Sequence, residues 1–201
     1  MSLSLKILVS VAVLAAAASV AGLGTFATFT SSTTATHTVS SGSVTVALGA
    51  PGAANRLTVN ATGIAPGDTI QRAFQLSNSG TIDLAAAPTL TTTASPSSLL
   101  DTDGTNGLQM VIDKCSVAWT ESGPPYTYTC SGTTSSVLAS RAVIGSNLAL
   151  SNVSSLVTAG NGPEYLRATL TLPSGAGNTF QNLSSTITYT FNGTQRSATN
   201  K

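Results

Sequence analysis

Charged side chains are scarce in this sequence. Only 7% of its 201 residues are Asp, Glu, Lys or Arg, and the formal net charge is +1, whereas a soluble domain usually carries about a quarter charged residues. No field of one sign exists to attract a nucleic acid or an anionic membrane. Nucleic acid is therefore not expected as a partner.

Histidine is almost absent as well, because His37 is the only one in the chain. A catalytic zinc site needs two or three converging His or acidic ligands and a general base, as an HExxH motif provides. A Ser-His-Asp triad would also have to use His37, and the chain has no G-x-S-x-G turn. The sequence predicts a protein that is not an enzyme and needs no cofactor.

Cysteine occurs twice, at Cys115 and Cys130. In an exported chain this count favours one intrachain disulfide, with two buried free thiols as the alternative. The segment between them has Gly-Pro-Pro at its centre, flanked by the alternating stretches KCSVAWT and YTYTC. The pattern predicts a β-hairpin whose two arms the disulfide joins to each other.

Serine and threonine are abundant, with 28 Ser and 32 Thr beside 18 Gly. This composition favours strands and turns over helices. Ten strands are predicted from alternating apolar residues between turn signals, at Ser43–Leu48, Arg56–Asn60, Ile70–Leu76, Leu84–Thr92, Leu108–Thr120, Tyr126–Cys130, Val137–Ile144, Leu148–Leu150, Tyr165–Leu172 and Thr186–Phe191.

Strands of this number and length predict an all-β fold, an antiparallel β-sandwich with jelly-roll-like topology. An Ig-like topology is the alternative. In YLRATLTL, the apolar residues Leu166, Ala168, Leu170 and Leu172 alternate with polar ones, so one face of that strand should be buried. Short helical turns are expected near Pro96–Leu100 and Val153–Val157.

The first 27 residues have the three regions of a secretory signal peptide. Lys6 precedes the apolar run ILVSVAVLAAAASVAGL, and small residues follow it as far as Ala27. Cleavage between Ala27 and Thr28 is predicted, so a signal helix precedes the sandwich and is removed. A permanent membrane anchor is the less favoured alternative, because the run is short and rich in alanine. The resulting organisation is a signal peptide at 1–27, a strand-competent segment at 28–42 and one β-sandwich domain at 43–201.

The loop LLDTDGTNG carries several oxygen ligands and is a candidate calcium site. Asp101, Asp103 and Asn106 would be its ligands. However, its glycine is out of place for an EF-hand loop and no bidentate Glu follows at the twelfth position. A turn rich in Asp and Asn is the alternative.

Several motifs in the first half of the chain occur together in a known order. The leader ends in GTFA before Phe29, SGSVTVAL follows, and the stretch GIAPGDTIQRAFQLSNSGTIDL then supplies a PGD turn, a strand and an NSG turn. Over residues 20 to about 90 the sequence resembles the TasA/camelysin (CalY) family of secreted Gram-positive proteins.

The resemblance implies a jelly-roll fold and cleavage by a dedicated signal peptidase at a site matching Ala27–Thr28. It also implies assembly into extracellular fibres of a biofilm matrix, in which an N-terminal segment adds as a strand to the neighbouring subunit. Here that segment would begin with Thr28, Phe29 and Thr30. The family has also carried a metallopeptidase label, which the single histidine contradicts. The cysteine pair and the very low charge depart from the better-known members.

Two functions are favoured at this point, and a secreted peptidase is the third alternative. The first is a secreted, non-enzymatic structural protein of the cell surface or biofilm matrix that forms fibres with other copies of itself and contacts other matrix or surface proteins, without a permanent membrane anchor. The second is a monomeric Ig-like or jelly-roll adhesin at the cell surface. An adhesin that binds glycans should expose aromatic rings, for which Trp119 and four tyrosines are available.

Overall fold

The computed structural model describes residues 64–199, together with Leu57 and the backbone of Val46–Leu48. The described chain is almost entirely β-structure. Its strands are β1 Val46–Leu48, β2 Thr69–Asn78, β3 Thr89–Ala94, β4 Gln109–Cys115, β5 Thr120–Ser122, β6 Thr127–Thr129, β7 Thr134–Ala142, β8 Gly145–Ala149, β9 Glu164–Thr171 and β10 Ile187–Asn192. One short helix, α1, spans Leu99–Thr102, and 3-10 turns lie at Ser154–Val157 and Asn178–Phe180.

The strands form two large sheets and one hairpin. A five-stranded sheet has the order β1-β2-β9-β4-β7, a three-stranded sheet has the order β10-β3-β8, and β5 pairs with β6. Every strand pairing is antiparallel. The all-β sandwich predicted from the sequence is confirmed.

The strand order favours a jelly-roll arrangement over an Ig-like one. From β2 to β4, and again from β7 to β10, successive strands alternate between the two large sheets. An Ig sandwich instead places strands A and B, D and E, and F and G side by side. Within the two large sheets of the described chain, only β1 and β2 are both consecutive and adjacent.

The core lies between the inner faces of the two sheets. The alternation predicted for β9 is confirmed, because Leu166, Ala168, Leu170 and Leu172 are all buried. Phe74 of β2 packs opposite Phe191 of β10, with ring centroids 5.5 Å apart. The other buried core residues include Leu76, Leu90, Met110, Ile112, Val137, Leu148 and Leu156.

Two of the predicted strands are wrong in their limits. The strand expected at Leu84–Thr92 begins only at Thr89, after Pro88, which has no N–H to donate to a ladder. Leu84 instead makes an isolated bridge with Gln195. The strand expected at Leu108–Thr120 ends at Cys115, where the chain leaves the five-stranded sheet, and β5 follows separately.

Several expectations fall outside the described residues. These are the signal helix and its cleavage site, the segment 28–42, and the predicted strand Arg56–Asn60 apart from Leu57. Within the residues that are described, no helix is both long and apolar enough to cross a membrane. Both helical turns predicted from the sequence are present, as α1 and as the 3-10 turn Ser154–Val157.

Candidate functional site

An unpaired strand edge is the feature through which one β-sandwich can bind another chain, because its N–H and C=O groups lack partners. The outer edge of β7 is already occupied near its middle. Val137 O accepts a hydrogen bond from Ser151 N at 2.9 Å, and Ser136 O accepts one from Asn152 Nδ2 at 2.8 Å. A further strand would have to displace both bonds.

The outer strand β8 is a poor template for a different reason. Its pairing with β3 shifts in register between Leu90 and Thr92. Asn147, in the middle of β8, has a φ of 50°, which is left-handed rather than extended backbone. An irregular edge of this kind resists the addition of a straight strand.

The outer strand β10 lacks these protections. All six of its residues pair with β3 in unbroken register, from Ile187 opposite Ala94 to Asn192 opposite Thr89. The strand has no charged residue and no proline, and no other described strand pairs with its outer side. Its inward residues Ile187, Tyr189 and Phe191 pack on the core but are only half-buried. Of the outer strands β7, β8 and β10, β10 therefore has the best-formed edge for an added strand.

The predicted hairpin and its disulfide are both present. Glu121 of β5 lies opposite Tyr128 of β6, and Cys115 is bonded to Cys130 with their Cα atoms 5.8 Å apart. Cys115 is the last residue of β4, so the disulfide joins the hairpin to the five-stranded sheet rather than joining its two arms to each other. It fixes the hairpin against the outer face of that sheet.

A second, smaller apolar cluster lies under the hairpin and is called the outer cluster here. It consists of Ala73, Cys115, Trp119 and Tyr128, all buried. Trp119 Nε1 donates to the backbone oxygen of Tyr165 at 3.1 Å. Tyr128 donates its hydroxyl to Glu121 at 2.6 Å; burial, reinforced by this hydrogen bond, raises the pKa of Tyr128 to about 12.

Arg167 completes this cluster. Its guanidinium lies 4.4 Å from the centroid of the Trp119 ring, a cation–π contact, and its Nη2 is 2.9 Å from a carboxylate oxygen of Asp113. Trp119 is thus covered by Arg167 and only 9% exposed. Neither Trp119 nor Tyr128 is therefore available to stack on a sugar, whereas Tyr126, Tyr165 and Tyr189 are only partly buried.

The candidate calcium ligands serve two separate local turns. The Asp101 carboxylate accepts hydrogen bonds from Ser97 Oγ at 2.6 Å, Ser98 N at 2.7 Å and Ser185 Oγ at 2.5 Å, and thereby caps α1. Asp103 accepts from the backbone N–H groups of Thr105 and Asn106, both at 2.9 Å. These bonds are those of a capping box and an Asx turn. Calcium binding at this loop stays a prediction.

Asp101 should make the protein sensitive to acid. Burial raises the pKa of its carboxyl, but the hydrogen bonds from Ser185, Ser97 and Ser98 outweigh burial, and the net pKa lies below the usual 3.8. A carboxyl with a lowered folded-state pKa stabilises the fold above pH 3.8, and this contribution is lost as the pH falls through the folded-state value.

We expect Asp101→Asn to lower the free energy of unfolding by about 1–2 kcal/mol at pH 7, because hydrogen bonds to a charged carboxylate are stronger than those to a neutral amide. Below pH 4, the free energy of unfolding of Asp101→Asn should also fall less steeply with decreasing pH than that of the wild type. Urea titrations at a series of pH values measure both slopes. Ser185→Ala should give a smaller loss of the same kind. An unchanged slope below pH 4 in Asp101→Asn would rule this role out.

The buried Glu164 and the partly buried Asp113 each pair with a basic side chain. Asp113 pairs with Arg167, and Glu164 pairs with Lys114 at 2.8 Å and accepts a hydrogen bond from Ser155. Lys114 also donates to the backbone oxygen of Asn152 at 2.7 Å. Over the part of the chain that the structure covers, no three Asp, Glu, Cys or His side chains are grouped as metal ligands would be.

The structure thus brings Cys115 and Cys130 together, whereas Ala27, Thr28, Phe29, Thr30 and His37 lie outside the described residues. Sequence reasoning missed two features, the β10 edge and the contacts of Arg167. The available signal for the first was the uncharged alternation in ITYTFN. The signal for the contacts of Arg167 was that Asp113 and Arg167 stand at polar positions of two strands with alternating apolar and polar residues.

Comparison with known proteins gives one positive result. The sequence model of a protein family described as camelysin metallo-endopeptidase matches residues 2–113, more than half of the chain. No curated protein matches the sequence.

Proposed function

Because the chain belongs to the camelysin metallo-endopeptidase family, we propose that it is a secreted, non-enzymatic structural protein of the cell surface or biofilm matrix. Copies of the protein assemble into fibres, in which the N-terminal segment 28–42 of one copy adds as a strand to the next. The open edge of β10 is the observation that carries this proposal.

The catalytic metal that the family description implies does not fit the residues of this chain. One histidine is too few for any zinc site built on histidines, and no HExxH motif is present. Three of the seven carboxylates pair with Arg167, Lys114 or Tyr128, and the other four accept hydrogen bonds from backbone N–H groups. We therefore derive no catalytic step for this protein.

The N-terminal segment has the side-chain pattern that the β10 edge requires. Along residues 28–39, the odd positions carry both apolar and polar residues, whereas every even position is Ser or Thr; the odd positions are Phe29, Ser31, Thr33, Ala35, His37 and Val39. Successive side chains of a strand point to opposite faces. A strand that turned its odd positions inward would cover the half-buried Ile187, Tyr189 and Phe191.

Pairing of this kind is β-augmentation, in which main-chain hydrogen bonds supply affinity and side-chain pockets supply register. In the proposed contact Phe29 fixes the register beside the apolar residues of β10. When the donor belongs to another copy, the contact is heterologous and repeats without closing, so it generates a filament.

Removal of residues 28–42 should abolish filaments. The exported protein, whose N-terminus is first checked by sequencing for a start at Thr28, is compared with the shortened chain by negative-stain electron microscopy and light scattering. As a matched control, Thr34→Pro keeps the length and charge of the segment but removes a backbone donor, and should weaken assembly. Filaments that persist without residues 28–42 would refute strand donation. A monomer at high concentration for both chains would favour the adhesin.

A further inference from the structure

The outer face of the three-stranded sheet is an ordered array of hydroxyl side chains. Thr89, Thr91 and Thr93 of β3 alternate with the buried Leu90 and Thr92, so they share the face that points away from the core. On β10, Asn192, Thr190 and Thr188 lie directly opposite these three threonines and are all exposed. This face of β3 and β10 is called the threonine face below.

The threonine face carries no charge. Neither β3, β8 nor β10 contains an acidic or basic residue, and Thr93, Thr188 and Thr190 are all exposed. The carboxylate of Asp101 lines a cavity beside Thr93, but Asp101 is itself buried. Neighbouring strands lie about 4.8 Å apart and same-face residues about 7 Å apart along a strand. The face is therefore a regular array of similar, branched side chains that another flat array can interdigitate with.

We propose that the threonine face is a self-association surface on which a second copy of this chain packs face to face. Two observations select a second copy as the occupant. The surface is made of like residues in two antiparallel rows, so it is complementary to itself under a two-fold rotation. It also has no charge to repel its own copy, and removal of Lys6 with the leader leaves seven basic and seven acidic residues, a net charge of zero, which favours association.

Strand donation would enlarge this surface, and to that extent the inference rests on the proposed function. If segment 28–42 adds beside β10 with its odd positions inward, its even positions point to the same side as Thr188 and Thr190. These even positions are Thr28, Thr30, Ser32, Thr34, Thr36 and Thr38. A third row of hydroxyl side chains then runs beside the first two, and the array repeats with every subunit. Many weak contacts in series hold two filaments side by side.

The test places two positive charges on the threonine face without touching the donor segment. Thr93 and Thr188 are exposed and directly opposite each other, and in Thr93→Lys/Thr188→Lys two facing copies would bring four ammonium groups together. Thr120 and Thr129 of the hairpin provide a matched control, because they are also an exposed, directly opposed threonine pair. Thr120→Lys/Thr129→Lys adds the same charge in the same setting on another surface.

Lateral association is followed by electron microscopy and sedimentation of the exported chain, with Trp119 fluorescence as a check of folding. We expect wild type and the hairpin variant to associate side by side, and Thr93→Lys/Thr188→Lys to form filaments that stay single. In 1 M salt the charges are screened beyond about 3 Å, so side-by-side association of this variant should return.

The outcomes separate this inference from the proposed function. Single wild-type filaments, or bundles that survive Thr93→Lys/Thr188→Lys, would overturn the threonine face as a contact but leave strand donation intact. An absence of filaments, together with a soluble dimer that only Thr93→Lys/Thr188→Lys dissociates, would support the face and refute strand donation.

Discussion

Phe74→Ala is expected to lower the free energy of unfolding by about 3–5 kcal/mol. Phe74 is 1% exposed and lies in the middle of the core, so its removal leaves a cavity between the two sheets. It also removes the ring contact with Phe191, which joins β2 to the edge strand β10. Urea denaturation followed by the fluorescence of the single tryptophan, Trp119, measures the change.

Phe191→Ala is the control for this prediction, since Phe191 is only half-buried and should cost less than Phe74. In a double-mutant cycle the two changes should couple by about 0.5–1.5 kcal/mol, as aromatic pairs do. A loss for Phe74→Ala below about 1 kcal/mol, or an absence of coupling, would contradict the packing of β10 over β2.

Loss of the disulfide should have the second-largest effect. Cys115 and Cys130 are 15 residues apart, and a closure of this length stabilises a fold by about 3 kcal/mol. Replacement of both cysteines by alanine should therefore lower the unfolding free energy by about that amount. Since the disulfide fixes the hairpin over the outer cluster, Trp119 should also become more exposed, and its emission should shift to longer wavelength.

Reduction of the wild-type disulfide by a phosphine breaks the S–S bond but keeps both cysteine side chains. It therefore separates the effect of losing the bond from the effect of replacing cysteine by alanine. It should reproduce most of the stability loss and the emission shift of the double alanine variant. If the variant unfolds within 1 kcal/mol of the wild type and keeps the same emission, the hairpin is held by its packing alone.

Much of the fold can be predicted from local patterns in the sequence. The alternation of Leu166, Ala168, Leu170 and Leu172 identifies both the strand β9 and its buried face, because a period of two residues specifies which side chains share a face. The Gly-Pro-Pro turn between the two cysteines likewise identifies the β5–β6 hairpin.

The positions of the strands relative to one another could not be predicted from local patterns. The stretch that follows Cys115 alternates like a continuing strand, yet the chain turns out of the sheet there to cover its outer face with Trp119. Alternation does not specify which strand pairs with which, so neither the β2-β9-β4-β7 order nor the outer position of β10 was accessible. The β10 edge can be identified as a candidate site only from the structure, which shows that β10 pairs with β3 on one side and with no described strand on the other.

Strand donation predicts that the isolated N-terminal segment binds the β10 edge in solution. A synthetic peptide of residues 28–42 is added to the chain that lacks them, and amide hydrogen exchange is measured along the sandwich. We expect slower exchange in Ile187–Asn192, no change along β7 or β8, and no effect of a peptide with proline at position 34. Unchanged exchange in β10, or protection of β7 or β8 instead, would contradict strand donation to this edge.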